Sequence, residues 1–178
     1  MGVPPLSGVE DPVSTIRTAV PADLLELQRI YRSASLSNPG DAPLLLARPE
    51  FLHFAGEGVV QGRTRVAVAG VEDRGAILGF ATVTVGHDGE PELEDAFVDP
   101  QWQRRGVARR LIEDAVQAVG KSGHQRLWVT ANPHAVAFYT AVGFVGSEQV
   151  ATELGPGLRL HLDIKPAQAR RKVSERWH

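Results

Sequence analysis

The chain has 178 residues, no cysteine, a formal net charge of -2, and 43% hydrophobic against 22% charged residues. These values fit one compact domain with a sizeable core and exclude a disordered or membrane-embedded chain. The missing cysteine excludes disulfides, thiolate metal sites and a cysteine nucleophile, and the near-balanced charge argues against general nucleic-acid binding.

Met1 to Asp11 carries Pro4, Pro5 and acidic residues in place of a signal peptide, and no apolar run reaches membrane-spanning length, so a cytoplasmic protein is expected. Residues 1–13 are expected to form a flexible segment, 14–164 the folded domain, and 165–178 a solvated basic tail with Arg170, Arg171, Lys172 and Arg176. Thr15 to Arg17 predicts a first strand, and Pro21-Ala22-Asp23 opens a helix with Leu24, Leu27, Ile30 and Tyr31 on one face. Ser33 to Pro43 reads as irregular, Leu44 to Phe54 as a short helix interrupted by Pro49, and Gly56 to Gly62 as a loop. Arg65 to Ala69 and Ile77 to Val85 predict two strands joined by a turn at Glu72 to Gly75, with a further turn from Gly86 to Pro91.

The run Leu93 to Val98 reads as the next strand, closed by Asp99-Pro100. Beyond it, Val107, Ala108, Leu111, Ile112, Ala115, Val116 and Val119 recur at helical spacing, so Gly106 opens an amphipathic helix. The first turn of a helix leaves amides without acceptors and carries partial positive charge, and Arg104 and Arg105 add guanidinium groups that fork onto phosphate oxygens. The stretch from Gln103 to Arg109 is therefore a candidate diphosphate cradle, the alternative being a plain strand-to-helix turn with solvated arginines. Leu127 to Thr130 predicts a strand, and Asn132-Pro133 starts a helix carrying Ala135, Phe138, Ala141 and Val142 that stops at Gly143-Phe144. Leu158 to Ile164 supplies a last strand, which makes a mixed α/β domain around one twisted sheet the expected architecture.

The combination of Gln103, Gly106 and Ala108 on a strand-to-helix turn, followed by Asn132, Phe138-Tyr139 and Gly143-Phe144, resembles the GNAT N-acetyltransferase superfamily. The resemblance implies a central twisted mixed β-sheet with helices on both sides and acetyl-coenzyme A as acyl donor. It also implies that Phe97 and Val98 bond the pantetheine arm through their backbone, that the amides of Arg104, Arg105, Gly106, Val107, Ala108 and Arg109 grip the pyrophosphate, and that Asn132 and Phe138 belong to the same site. Asn132 serves equally as a helix cap, and Phe138 is expected to pack inward.

Direct attack by an alkyl amine of pKa near ~10 needs a base at neutral pH, and departure of a thiolate whose thiol titrates near ~8.5 is eased by a donor. Glu92 and Glu94 share one face of their strand by its two-residue period, and the resemblance implies a base there; the alternative is that Asp88, Glu90, Glu92, Glu94 and Asp95 form a solvated edge. The resemblance places Tyr139 beside the departing sulfur. No histidine lies at metal-ligand spacing, so no metal is expected, and neither a nucleoside-triphosphate loop nor a G-x-G-x-x-G turn is present. The implied function is acetyl transfer to a small-molecule or protein amine in a ternary complex, with a homodimer open. The alternative is a non-catalytic acyl-coenzyme A-binding regulatory or interaction module.

Overall fold

The computed structural model describes residues 11–13, 15–70 and 75–166. The segment before Asp11, most of the turn expected at Glu72 to Gly75, and the basic tail past Pro166 lie outside the described residues. In chain order the elements are β1 (Thr15–Thr18), α1 (Leu24–Leu36), α2 (Ala42–Ala47), α3 (Glu57–Val60), β2 (Thr64–Ala69), β3 (Ala76–Val85), β4 (Pro91–Val98), α4 (Val107–Lys121), β5 (Arg126–Ala131), α5 (Val136–Ala141), β6 (Val145–Thr152) and β7 (Gly155–Asp163). Among the described residues no helix is long and apolar enough to cross a membrane.

The strands form one seven-stranded sheet in the order β1-β2-β3-β4-β5-β7-β6, and every neighbouring pair is antiparallel except β4 and β5. Helix α4 makes the crossover that this parallel pair requires. Its Val107, Leu111, Ile112, Ala115 and Val119 pack on one face of the sheet with Leu93, Val98 and Leu127. Burial of each large aliphatic side chain there is worth about 1.5–3 kcal/mol. On the other face, Leu27 and Ile30 of α1 meet Val66, Val68 and Phe80. Helices thus cover both faces, as the periodicities of the two helices require.

Three local features depart from the sequence reading. Helix α1 runs through Ser33 and Ser35 to Leu36, because the buried stripe of Leu27 and Ile30 outweighs the weak helix preference of serine. The loop from Gly56 to Gly62 contains the single turn α3, started by Gly56 at φ 76°. Strand β6 was not anticipated: its residues Val145, Glu148, Gln149, Ala151 and Thr152 are exposed at the sheet edge, so no apolar alternation marks it.

The sheet opens at one place. Strands β4 and β5 pair only through Glu92 with Trp128 and Leu93 with Val129, while β4 stays paired to β3 as far as Val98. Beyond Leu93 the β5-facing edge of β4 is therefore free of a ladder.

Candidate active site

The free edge of β4 leads into the turn that precedes α4. Asp99 closes the strand: its amide donates to the Leu78 carbonyl at 2.8 Å, and its carboxylate accepts from the Gln101 amide at 3.0 Å. Arg29 of α1 also grips this carboxylate. Burial disfavours the charge on Asp99, but Arg29 and the Gln101 amide outweigh it and hold the carboxyl below its ordinary range. The chain then turns with Arg104 at φ 61° and Gly106 at φ 83°. A left-handed backbone is uncommon for a residue with a Cβ, and such outliers gather where a ligand is held.

Among the described residues, the amides of Arg104 to Arg109 donate to no acceptor; the first intrahelical bond runs from the Arg110 amide to the Gly106 carbonyl at 3.1 Å. A Cβ at Gly106 would meet nothing within 4 Å, and Arg104 and Gly106 to Arg109 line an open cleft. Arg104, Arg105 and Arg109 are exposed and have no carboxylate partner among the described residues; Arg105 lies 5.1 Å from the Trp102 ring centroid. Free amides and the uncompensated Arg104 and Arg109 thus line one volume, the chemistry of an anion site.

From this turn a cleft of about 970 Å³ runs along β4, past Asn132 and Phe138, to the α1–α2 region and the β6–β7 hairpin. Main-chain groups alternate sides along a strand, and with Asp99 donating to β3 those of Val98 and Ala96 face the cleft. Gln103 Nε2 reaches the Val98 carbonyl at 3.3 Å from that side. The main chain of Phe97 is turned the other way, and its carbonyl oxygen would sit 2.6 Å from a Cβ on Gly79 of β3. Phe97 thus turns its main chain toward β3, while Ala96 and Val98 present theirs to the cleft that all three residues line.

Asn132 caps the approach to α5, accepting from the Ala135 amide at 2.9 Å, and its Nδ2 lies 3.4 Å from Asp41. Phe138 is 38% exposed and lines the cleft, contrary to the inward packing expected of it. Its neighbour Tyr139 takes the inner position at 9% exposure, edge-on to Phe144 at 5.3 Å between centroids. On the short helix α5 the two adjacent rings cannot share a face.

The two-residue period that would set Glu92 and Glu94 on one face is interrupted between them. The β3–β4 register shifts between Thr82 and Val83, which pair with Asp95 and Leu93, so Glu94 is the extra residue of a bulge. Leu93 packs on the α4 side with Ala96 and Val98, an interval of three that records the insertion. Glu94 is exposed, and Glu92 is half-buried with its Oε1 accepting from the Thr130 hydroxyl at 2.9 Å. Neither lines the cleft, and nor do the more buried Asp95 and Tyr139.

The bulge instead turns Asp95 to the face that carries Phe97. Burial pushes its carboxyl up to about 6, against a hydrogen bond from Thr82; nearby Glu94 adds to the rise and Arg63 opposes it. Two tyrosines feel its charge. Tyr31, which lines the cleft, is raised first by burial and then by Asp95, and Tyr139 is pushed up to about 12 by the same causes in the same order. A carboxylate that gains a proton near pH 6, within electrostatic reach of two tyrosines, is a candidate for proton transfer. Sequence reasoning counted Asp95 within an acidic run, and only the one-residue bulge separates it from its neighbours.

Known proteins have related sequences and folds. The chain is 26% identical over 144 residues to the mycothiol acetyltransferase of Gordonia bronchialis, covering 80% of this chain and 43% of that protein. It is 36% identical over 73 residues to the [ribosomal protein bS18]-alanine N-acetyltransferase of Escherichia coli, covering 39% of this chain and 49% of that one. It thus spans less than half the length of these relatives. The PaiA N-acetyltransferase of Thermoplasma acidophilum, solved in complex with coenzyme A, has the same fold with a TM-score of 0.63 at 16% identity, over 84% of this chain and 98% of that one. A model of the acetyltransferase (GNAT) domain matches residues 51–156, well over half the sequence and the whole of the β4–α4 turn and the open sheet edge, and the chain belongs to that family.

Proposed function

We propose that the protein is an N-acetyltransferase that moves an acetyl group from acetyl-coenzyme A to a primary amine by direct attack in a ternary complex. The observation that carries this reading is the row of free amides from Arg104 to Arg109, opening onto a cleft that follows the unladdered edge of β4. The residues fit the donor. Those amides, with Arg104, Arg105 and Arg109, match a diphosphate, and the Val98 and Ala96 main chains with Asn132 and Phe138 match a linear amide-bearing arm. Bound there, the donor supplies an acetyl group activated as a thioester.

The chain's own groups do the rest. Asp95 accepts the proton that the attacking amine must lose; a carboxyl raised to about 6 is ionised at pH 7 and is a stronger base than an ordinary aspartate. Glu92, fixed by Thr130, and the exposed Glu94 add negative charge that draws a cationic acceptor toward this edge. The Tyr139 hydroxyl stays protonated, by burial first and by Asp95 second, and donates a hydrogen bond to the departing sulfur.

The test is free-thiol release from acetyl-coenzyme A over a panel of amine classes, with mass spectrometry of the product. Release with an acetylated amine supports the reading. Tight coenzyme A binding with no release for any amine, and with Asp95→Asn and Tyr139→Phe equal to the unmodified protein, would instead mark an acyl-coenzyme A-binding module.

A further inference from the structure

The cleft has two chemically different ends. The turn end carries Arg104 and Arg109, whereas the far end is walled by Leu44, Leu45, Phe51, Leu154 and Pro156. Asp41 is the one carboxylate lining that side among the described residues, with His134 beside it.

The nearest cation, Arg48, does not enter the cleft. Its guanidinium sits 4.3 Å from the Phe51 ring centroid, pairs with Glu50 at 3.1 Å, and donates to the Glu153 carbonyl at 2.9 Å, which ties α2 to the β6–β7 hairpin. Leu44 and Leu154 remain 42% and 40% exposed at the mouth. Asp41 is held toward the cleft by two long contacts, His134 Nε2 at 3.5 Å and Asn132 Nδ2 at 3.4 Å. Both are weak enough to leave its oxygens able to accept from a closer donor.

Resting on the acetyl-transfer reading, we infer that the acceptor is a primary amine on an apolar body without a carboxylate, its body seated between Leu44, Phe51 and Leu154 and its ammonium form attracted by Asp41 on entry, before the nitrogen is deprotonated for attack. A carboxylate brought into this end loses water and gains no cation. A polyamine sets a second charge against the apolar walls of this end, and a hydroxyl-rich sugar amine leaves its oxygens there. A small amine and the N-terminus of a peptide beginning with an apolar residue offer the same chemistry.

The test is calorimetric titration of amines into protein saturated with coenzyme A, a readout independent of turnover. Leucinamide, phenethylamine and a leucine-initiated tripeptide amide are compared with leucine and spermidine. Leucinamide and phenethylamine are expected to bind about tenfold or more tightly than leucine or spermidine, a difference of ~1.4 kcal/mol. The tripeptide arm separates a protein acceptor, bound as well as leucinamide, from a small-molecule one, bound less well. Leu154→Lys, at an exposed position, should bring leucine within about threefold of leucinamide, and Asp41→Asn should weaken leucinamide about tenfold. Leucine or spermidine binding as tightly as leucinamide, or no amine binding to the loaded protein, overturns the inference. The expected binding order without thiol release overturns the acetyl-transfer reading and leaves the amine specificity standing.

Discussion

Thr82 stands opposite Asp95 in the β3–β4 ladder, and its hydroxyl lies 2.9 Å from that of Thr64 in the buried layer beneath. The carboxyl therefore rests on a neutral polar pair, which tempers the cost of its burial without abolishing it. Its folded value of about 6 exceeds the unfolded value of 3.8, so the native state binds more protons across that window and stability falls as pH rises through it. Asp95→Asn removes this loss. The variant should gain roughly 1–2 kcal/mol of stability at about pH 8, read as a higher Tm, while its acetyl transfer drops about 100-fold. In the unmodified protein kcat/KM should fall on the acid side with an apparent pKa of about 6, and the variant should lack that limb.

Tyr139→Phe keeps the ring packing against Phe144 and deletes only the hydroxyl. Transfer should slow by about 10- to 100-fold with the dissociation constant of coenzyme A nearly unchanged, measured by single-turnover kinetics beside fluorescence titration. A loss of cofactor binding with chemistry intact would reassign the residue.

Gly106→Glu places a side chain, and a negative charge, in the open space before the free amides, at a φ of 83° that resists any Cβ. Coenzyme A affinity should fall by more than about 100-fold. Arg104→Gly provides the complementary check. Relief of its left-handed backbone should raise stability by up to ~1 kcal/mol while the lost guanidinium weakens coenzyme A in a salt-dependent manner.

Arg29→Ala removes the partner of Asp99, which is 4% exposed. The stranded carboxylate keeps only the Gln101 amide, and chemical denaturation should register a loss of about 2–3 kcal/mol. Arg29→Ala with Asp99→Asn should recover part of it.

Much of this fold is legible where one face is buried. Helix α4 reads directly from Val107, Leu111, Ile112, Ala115 and Val119, and the strands flanking it from their apolar runs. Strand β6 is illegible because a sheet edge exposed on both sides imposes no alternation on Glu148 or Gln149. The turn from Gln103 to Gly106 is legible from the orphan amides of any helix start. The proposed base, Asp95, is not, since a bulge at Glu94 shifts every later side chain of β4 by one face and leaves no mark in composition or period. Phe138 and Tyr139 illustrate the same limit: adjacent aromatics on a six-residue helix differ in burial by rotation alone.

Arg29 spans the interval between Glu26 on its own helix and Asp99 at the end of β4. It acts as a strut from α1, whose Tyr31 and Ala34 wall the cleft, to the entrance of the turn that carries the free amides. The two banks of the channel are joined through it, so a displacement of α1 that widens the channel also pulls on the turn that carries the free amides.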